Sequence, residues 1–442
     1  MQANNSNRHS KSTHHIVQKI ATNIVCETIT KNLKADFIIS QQTENLESFE
    51  HASVEAISMS WLRNRILIEN VIALLCKKKP KQKVIEILYT ASADIISSDS
   101  DKFAKVVHSW VEFAKKNLSK FESGFINAVL RKVPSTIQEI LSSKVGAELL
   151  SIKYSHPLWL VEKWIKQFGE EKTEKILSAN SKNSAVFFRK DFSKEADILA
   201  EKYCAFFENT KYSNFLKLKN GEWNNVKDLL LTGHFYVQDP STFFAPRQFN
   251  PKVSKQYLDL CASPGGKSRT IADLINSSDI SDQNSLLVSS DLSKRIKPLR
   301  ENISKIKNIK TAVIECDILS ENLADKLQKE NLPKEYDGVF IDAPCSNTGV
   351  LGRRPDARYR LTQNDILLCA EKQFDILQKA KHFVKVNGLL EYSTCSIEEE
   401  ENKEVINKFL LENKNFALKE SFTLVPSEEN DGASGALFER IA

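Results

Sequence analysis

Apolar residues recur at three- and four-residue steps through VEAISMSWLRNRILIENVIALL (54–75), KVIEILYTASADII (83–96) and FAKVVHSWVEFAKKNL (103–118). That period marks helices with one buried face. Proline occurs in this half only at Pro80, between helices, and at Pro134, after the last one, both places where a helix is expected to stop. The pattern predicts an all-helical domain over residues 13–145. Residues 1–12, rich in Asn, Ser and basic side chains, read as a disordered tail.

Over 146–235 the signal is mixed. HPLWLVEKWIKQFG (156–169) has the spacing of an amphipathic helix, whereas AVFFRK (185–190), FLKLK (215–219) and HFYVQD (234–239) read as short strands, giving a small α+β connecting subdomain. Residues 236–442 alternate strand and helix. QYLDLC, SLLVSSD, TAVIECD, YDGVFID and GLLEYSTC are five short apolar strands with helical patterns between them. Such alternation predicts parallel pairing through crossover helices, a Rossmann-like doubly wound α/β sheet. Ligands bind such sheets at the carboxyl ends of the strands.

The length of 442 residues suits two or three domains. With 62 basic and 57 acidic residues the net charge is only +5, which permits nucleic-acid binding through a local patch and no more. The eight cysteines form no CxxC pair and no Cys/His zinc spacing, so no metal is expected. Scattered free thiols, a polar N-terminus and the lack of a long apolar run predict a cytoplasmic protein with no membrane partner.

The first strand of the sheet runs into CASPGGKS (261–268). Gly265 and Gly266 permit a tight turn and close approach to a ligand, and the next helix offers its amide-rich N-terminus. The spacing is neither GxGxxG nor that of a phosphate loop, which disfavours a nucleoside triphosphate. Asp291, at the end of the second strand, is placed to hold ribose hydroxyls, and Asp317, at the end of the third, to reach an adenine. Each aspartate alone would more simply cap its helix; three on one rim, with Asp342, favour a nucleoside site.

Strand four ends in Asp342-Ala343-Pro344-Cys345-Ser346 and strand five in Tyr392-Ser393-Thr394-Cys395-Ser396. A lone cysteine is usually an apolar filler, but two at neighbouring strand ends suggest chemistry. Methylating carbon 5 of cytosine needs such a set. Thiolate addition at carbon 6 makes carbon 5 enamine-like, so that it can take a methyl group, and loss of the carbon 5 proton then expels the thiol. Asp342 would hold the N3/N4 edge of the base.

These residues lie in a series read in order: VQDPST (237–242), LDLCASPGGKS (258–268), SDLSKRIKPLRENI (290–303), IDAPCSNTGVLGRRPDARYR (341–360) and YSTCSIEEEEN (392–402). In that series the chain resembles the RNA 5-methylcytosine methyltransferases of the NOL1/NOP2/Sun family. The resemblance implies that Cys395 is the nucleophile and that Cys345 helps release the product, roles that spacing alone leaves open. It also implies that Cys261, Ala262, Ser263, Pro264, Gly265, Gly266 and Lys267, with Asp291, Asp317 and Asp342, bind S-adenosylmethionine. Asn347, Arg353, Arg354 and Asp356 would touch RNA, and Arg353, Arg354, Arg358 and Arg360, beside the active site, are the candidates for contacts to its phosphates.

GFINAVLRKV (124–133) and HPLWLVEKW (156–164) resemble the end of a NusB-like RNA-binding domain and the segment after it. Joined in one chain, the two resemblances imply small-subunit (16S) ribosomal RNA as the substrate of a monomeric enzyme, with tRNA as the alternative. Ser263 and Tyr359 depart from the usual alanine and tryptophan, and the polar stretch 277–284 is longer than usual. The lysine-rich KKKPKQK (77–83) reads as a solvated loop, and Glu398–Glu401 as a helix N-terminus favoured by the dipole. A non-catalytic RNA adaptor would have no need of the complete set of cysteines, Asp342 and paired glycines. A small-molecule methyltransferase would need neither the two cysteines nor the helical domain.

Overall fold

The computed structural model describes residues 2–31, 33–276, 284–307 and 309–442. They form two compact units: residues up to Asn183 together with Leu351–Arg360, and Ser184–Val350 together with Leu361–Ala442. The polar stretch at 277–283 lies outside the described residues.

The first unit is helical, as the periodicity predicts. Helices Ser48–Leu75, Gln82–Ser97, Phe103–Asn117 and Lys120–Leu130 bury their apolar faces in one core around Trp61 and Trp110. Each indole keeps a partner for its N–H, Thr28 Oγ1 at 3.2 Å and Asp94 Oδ2 at 2.7 Å, which removes the cost of burying that donor. Two boundaries differ from the sequence reading. The first helix, Gln2–Thr30, begins inside the stretch read as a tail. Pro134 lies in the first turn of a further helix, Val133–Ser143, where a missing N–H costs nothing. Helices Gly146–Lys153, Leu158–Phe168 and Glu170–Ser181, read as part of the connecting region, belong to this unit, and Ile152 joins the core around Trp61.

Leu351–Arg360, which the sequence assigns to the sheet domain, also packs within the helical unit. Arg358 is fully buried and donates to the carbonyl oxygens of Tyr154 (3.2 Å), Ser155 (3.3 Å), Asn180 (3.0 Å) and Leu351 (3.2 Å). Tyr359 Oη donates to the carbonyls of Leu62 (2.6 Å) and Ser155 (3.0 Å). Burial draws the Arg358 guanidinium down to about 10, still charged at neutral pH. The expected phosphate contact at Arg358 is therefore corrected: an arginine spent on four buried carbonyls has no face left for RNA.

The second unit holds two sheets. Strands β1 (Phe187–Lys190), β2 (Phe207–Glu208), β3 (Phe215–Leu218) and β4 (Phe235–Val237) form a small antiparallel sheet in the order β2-β3-β1-β4. The larger sheet comprises β5 (Gln256–Leu260), β6 (Leu286–Asp291), β7 (Lys310–Glu315), β8 (Tyr336–Asp342), β9 (Val384–Thr394), β10 (Phe416–Leu424) and β11 (Ala433–Arg440). Its order is β10-β11-β9-β8-β5-β6-β7, with β5 to β9 parallel and β10 and β11 antiparallel. The five parallel strands are those the apolar runs predict. Alternate residues serve two cores: Leu258, Val339, Ile341 and Leu390 on one face, Tyr257, Leu287 and Phe340 on the other.

Chain order reverses at β5, whose neighbours are β6 on one side and β8 on the other, so a crevice opens at its carboxyl end. Buried Arg189 of β1 pairs with Asp273 (2.6 Å) in helix Gly266–Asn276, which follows β5. Arg269 of that helix takes the other carboxylate oxygen at 3.1 Å. Among the described residues no helix is long and apolar enough to cross a membrane.

Arg358→Met would take its N–H donors from the carbonyls of Asn180 and Leu351, while Ser155 keeps Tyr359 Oη and Tyr154 keeps Ser181 Oγ. At about 1–3 kcal/mol for an unsatisfied buried group, denaturant unfolding of the full chain should register a loss of about 3 kcal/mol. A variant of unchanged stability but weakened RNA binding would restore the phosphate role.

Candidate active site

Parallel register sets the site. Leu260 pairs with Ile341 and with Ser290, and Asp342 pairs with Ser393, so the ends of β5, β6, β8 and β9 share one rim. The loop after β5 turns on Cys261 (φ 59°) and Gly265 (φ 105°), both in the left-handed region. A Cβ on Gly265 would lie 3.3 Å from Asn302 Cβ, whereas one on Gly266 would meet nothing within 4 Å. The helix thus opens onto free space at its N-terminal amides, a cradle suited to a ligand.

Asp291 is almost wholly buried and tethers this loop, accepting from the Ser263 amide at 2.8 Å and from that of Leu292 at 2.6 Å. Asp317 is half-buried and accepts from the Leu319 amide at 3.1 Å, so it caps its own turn. Burial, then Asp291, pushes the Cys261 thiol well up, which disqualifies it as a nucleophile.

Lys267 reaches across the rim from the cradle. Its Nζ lies 2.5 Å from Asp342 Oδ1 and 3.0 Å from Ser393 Oγ. Burial alone would lower this ammonium, but the Asp342 carboxylate and the two thiols outweigh it and hold it above its ordinary value. Beneath it, burial raises Asp259 to about 8 and Glu391 well above the usual carboxylate range. At about 8, Asp259 is mostly protonated at neutral pH.

The two cysteines meet. Cys345 Sγ and Cys395 Sγ are 3.0 Å apart, both half-buried and both free thiols. Asn347, at φ 63°, spans the pair: its Nδ2 donates to the Cys345 carbonyl at 2.8 Å and its Oδ1 accepts from Cys395 Sγ at 3.2 Å. The neighbouring Cys395 sulfur, then burial, hold Cys345 well above the ordinary thiol value, since two thiolates in contact repel. Asn347, expected to touch RNA, thus engages both cysteines. Gly349 closes the arrangement: its amide donates to the Cys395 carbonyl at 2.9 Å, and a Cβ there would lie 2.6 Å from that oxygen and from Gly432 O.

Sequence reasoning missed Glu401. The run Glu398–Glu401 reads as an exposed helix start, yet Glu401 is fully buried. It accepts from the Ser346 amide (2.8 Å), the Ser346 hydroxyl, Ser396 Oγ (2.5 Å) and Gln373 Nε2 (2.9 Å). A serine directly after each cysteine was the available signal: two hydroxyls brought together by neighbouring strands need a common acceptor.

The other expected RNA contacts, Arg353, Arg354, Asp356 and Arg360, lie in the helical unit with Arg358. Arg354 is exposed, and Arg360 pairs with Asp356 at 2.6 Å. Among the described residues no cluster of three or more His, Cys, Asp or Glu side chains could hold a metal ion.

Comparison with known proteins fits this geometry. Residues 247–436 match the family described as 16S rRNA methyltransferase RsmB/F, and residues 5–135 match the NusB family. The probable ribosomal RNA small subunit methyltransferase B of Bacillus subtilis is 28% identical over 364 residues, covering 80% of this chain and 78% of its own. Ribosomal RNA small subunit methyltransferase B of Proteus mirabilis is 26% identical over 414 residues, covering 90% and 92%. Among solved structures, PH0851 superposes with a TM-score of 0.72 at 21% identity, covering 96% of this chain and 98% of that one, a likeness of fold.

Asp291→Ala removes the loop's tether and the carboxylate at the end of β6. Calorimetric titration with S-adenosylmethionine should record an affinity at least about tenfold weaker, about 1.4 kcal/mol, with RNA affinity little changed. Unchanged cofactor affinity would leave Asp291 as a cap alone.

Proposed function

We propose that the chain, whose residues 247–436 match the RsmB/F family of 16S rRNA methyltransferases and whose residues 5–135 match the NusB family, methylates carbon 5 of a cytosine in small-subunit ribosomal RNA. Enzymes of this class depend on S-adenosylmethionine, which when bound supplies an electrophilic methyl group. The open cradle at Gly265–Gly266, with Asp291 on its rim, fits that ligand. The observation that carries the cytosine reading is the pair of thiols 3.0 Å apart beside the Lys267–Asp342 pair.

In this reading Cys395 adds to carbon 6 while Asp342, oriented by Lys267, holds the N3/N4 edge of the base. Lys267 keeps Asp342 in place and offsets its charge. Carbon 5, now enamine-like, takes the methyl group. A base must then remove the carbon 5 proton so that Cys395 is expelled. Cys345 suits this step because its high proton affinity comes first from the sulfur of Cys395. Once that sulfur is bonded to carbon 6 it bears no charge, so Cys345 can lose its own proton to solvent, take the carbon 5 proton as a thiolate, and let Cys395 leave as a thiolate. The target nucleotide must be unstacked to reach the rim, which fits a loop or a partly assembled RNA.

Cys395→Ala should abolish transfer of labelled methyl to small-subunit RNA while S-adenosylmethionine still binds; full turnover would remove Cys395 from the nucleophile's place. Cys345→Ser should accumulate a covalent RNA–protein adduct, seen as a gel shift resistant to denaturant. Ordinary turnover without adduct would count against the release role. Bisulfite sequencing of RNA from cells with and without the gene would identify the methylated cytosine, and a change confined to tRNA would overturn the ribosomal assignment.

A further inference from the structure

The carboxylate of Glu401 receives four donors on two oxygens. Oε1 takes the Ser346 amide and Gln373 Nε2, and Oε2 takes the hydroxyls of Ser346 and Ser396. Ser346 directly follows Cys345, and Ser396 directly follows Cys395. One side chain therefore grips the residue after each thiol. It is itself held fast: Tyr392 Oη donates to the Glu401 carbonyl at 2.6 Å and to Gln373 Oε1 at 3.0 Å, and Gln373 Nε2 also reaches the Pro344 carbonyl at 2.9 Å. Glu401 has no exposed surface, so it acts through the cysteine loops and not on a substrate.

We propose that Glu401 is a positioning residue for product release, setting the contact between Cys345 and Cys395 by clamping Ser346 to Ser396. The inference rests on the reading that Cys395 forms the adduct and Cys345 resolves it. The two steps depend on the clamp unequally. Cys395 is flanked by holds outside the Cys345 loop: Thr394 Oγ1 donates to Asn402 Oδ1 (2.8 Å), and the Ser396 carbonyl accepts from Ser434 Oγ (3.0 Å) and Asn402 Nδ2 (3.1 Å). The loop of Cys345 depends more on the clamp, since Glu401 takes both the amide and the hydroxyl of Ser346. Loosening the clamp should leave attack on carbon 6 in place and disturb the geometry of release. Glutamine cannot substitute. It offers one acceptor oxygen and adds an N–H₂ group where two hydroxyls and two N–H groups already converge.

The test compares wild type, Cys345→Ser and Glu401→Gln in full-length protein on 16S RNA, reading S-adenosylmethionine affinity, single-turnover methyl transfer, covalent adduct and multiple turnover. Glu401→Gln should bind the cofactor as wild type does, complete the first methyl transfer, accumulate adduct like Cys345→Ser, and turn over about 10²-fold more slowly, the loss an ångström-scale misplacement can cause. A merely structural role would lower cofactor affinity and first-turnover amplitude together without building adduct. If Cys345→Ser builds adduct while Glu401→Gln turns over like wild type, or is slow without adduct, the positioning role is overturned. If Cys345→Ser builds none, the adduct reading itself fails. Should Glu401→Gln not fold, the double variant Ser346→Ala/Ser396→Ala removes the clamped hydroxyls and keeps the carboxylate; adduct accumulation there supports the role, and wild-type turnover overturns it.

Discussion

Two sulfur atoms 3.0 Å apart require two loops to meet where there is no space for an ordinary backbone. That contact depends on β8 and β9 lying side by side with Asp342 opposite Ser393, so that Cys345 and Cys395 leave the sheet three and two residues later. Gly349 then passes so close to Cys395 O and Gly432 O that any side chain would collide with both. A one-residue slip of β9 would turn Cys395 to the other face of the sheet. The apolar layers on both faces prevent it, because the same slip would exchange the buried positions of Leu390 and Glu391. Packing far from the thiols thus holds their register.

The electrostatics of the rim follow from burial. Lys267 lies within reach of three carboxyl groups, Asp342, Asp259 and Glu391. Were all three ionised, the site would carry a net negative charge beside two thiols and resist forming a thiolate. Burial instead disfavours the charged forms of Asp259 and Glu391, while Lys267 pairs directly with Asp342.

Much of this was legible in the sequence. The five parallel strands, the glycine turn and the rim of aspartates followed from apolar runs ending in polar residues, because strand-end chemistry is local in the chain. Glu401 was not legible, since its partners Ser346 and Gln373 are 55 and 28 residues away and a run of four glutamates has the statistics of a solvated helix start. Strand β10 was missed because its alternation is mostly exposed. The packing of residues 146–181 within the helical unit was not legible for a related reason: composition and periodicity describe a segment's own faces, not which core receives them. Ile152 joins the Trp61 core through contacts that no local pattern encodes.

The motif IDAPCSNTGVLGRRPDARYR carries one charge pattern but two environments. Its first half, to Val350, belongs to the sheet unit and supplies Asp342, Cys345 and Asn347; its second half belongs to the helical unit. An RNA contact must come from cations that keep both exposure and charge. Arg358 is buried among carbonyls and the His156 ring, and Arg360 is already paired with Asp356, whose carboxylate also accepts from the Ala35 amide at 3.3 Å. Arg354 is exposed with no ion pair among the described residues, so it can release counterions on meeting a phosphate without first breaking a bond inside the protein. Among the basic residues of that stretch, physical cost therefore favours Arg354 over Arg358, although sequence alone weighs them equally.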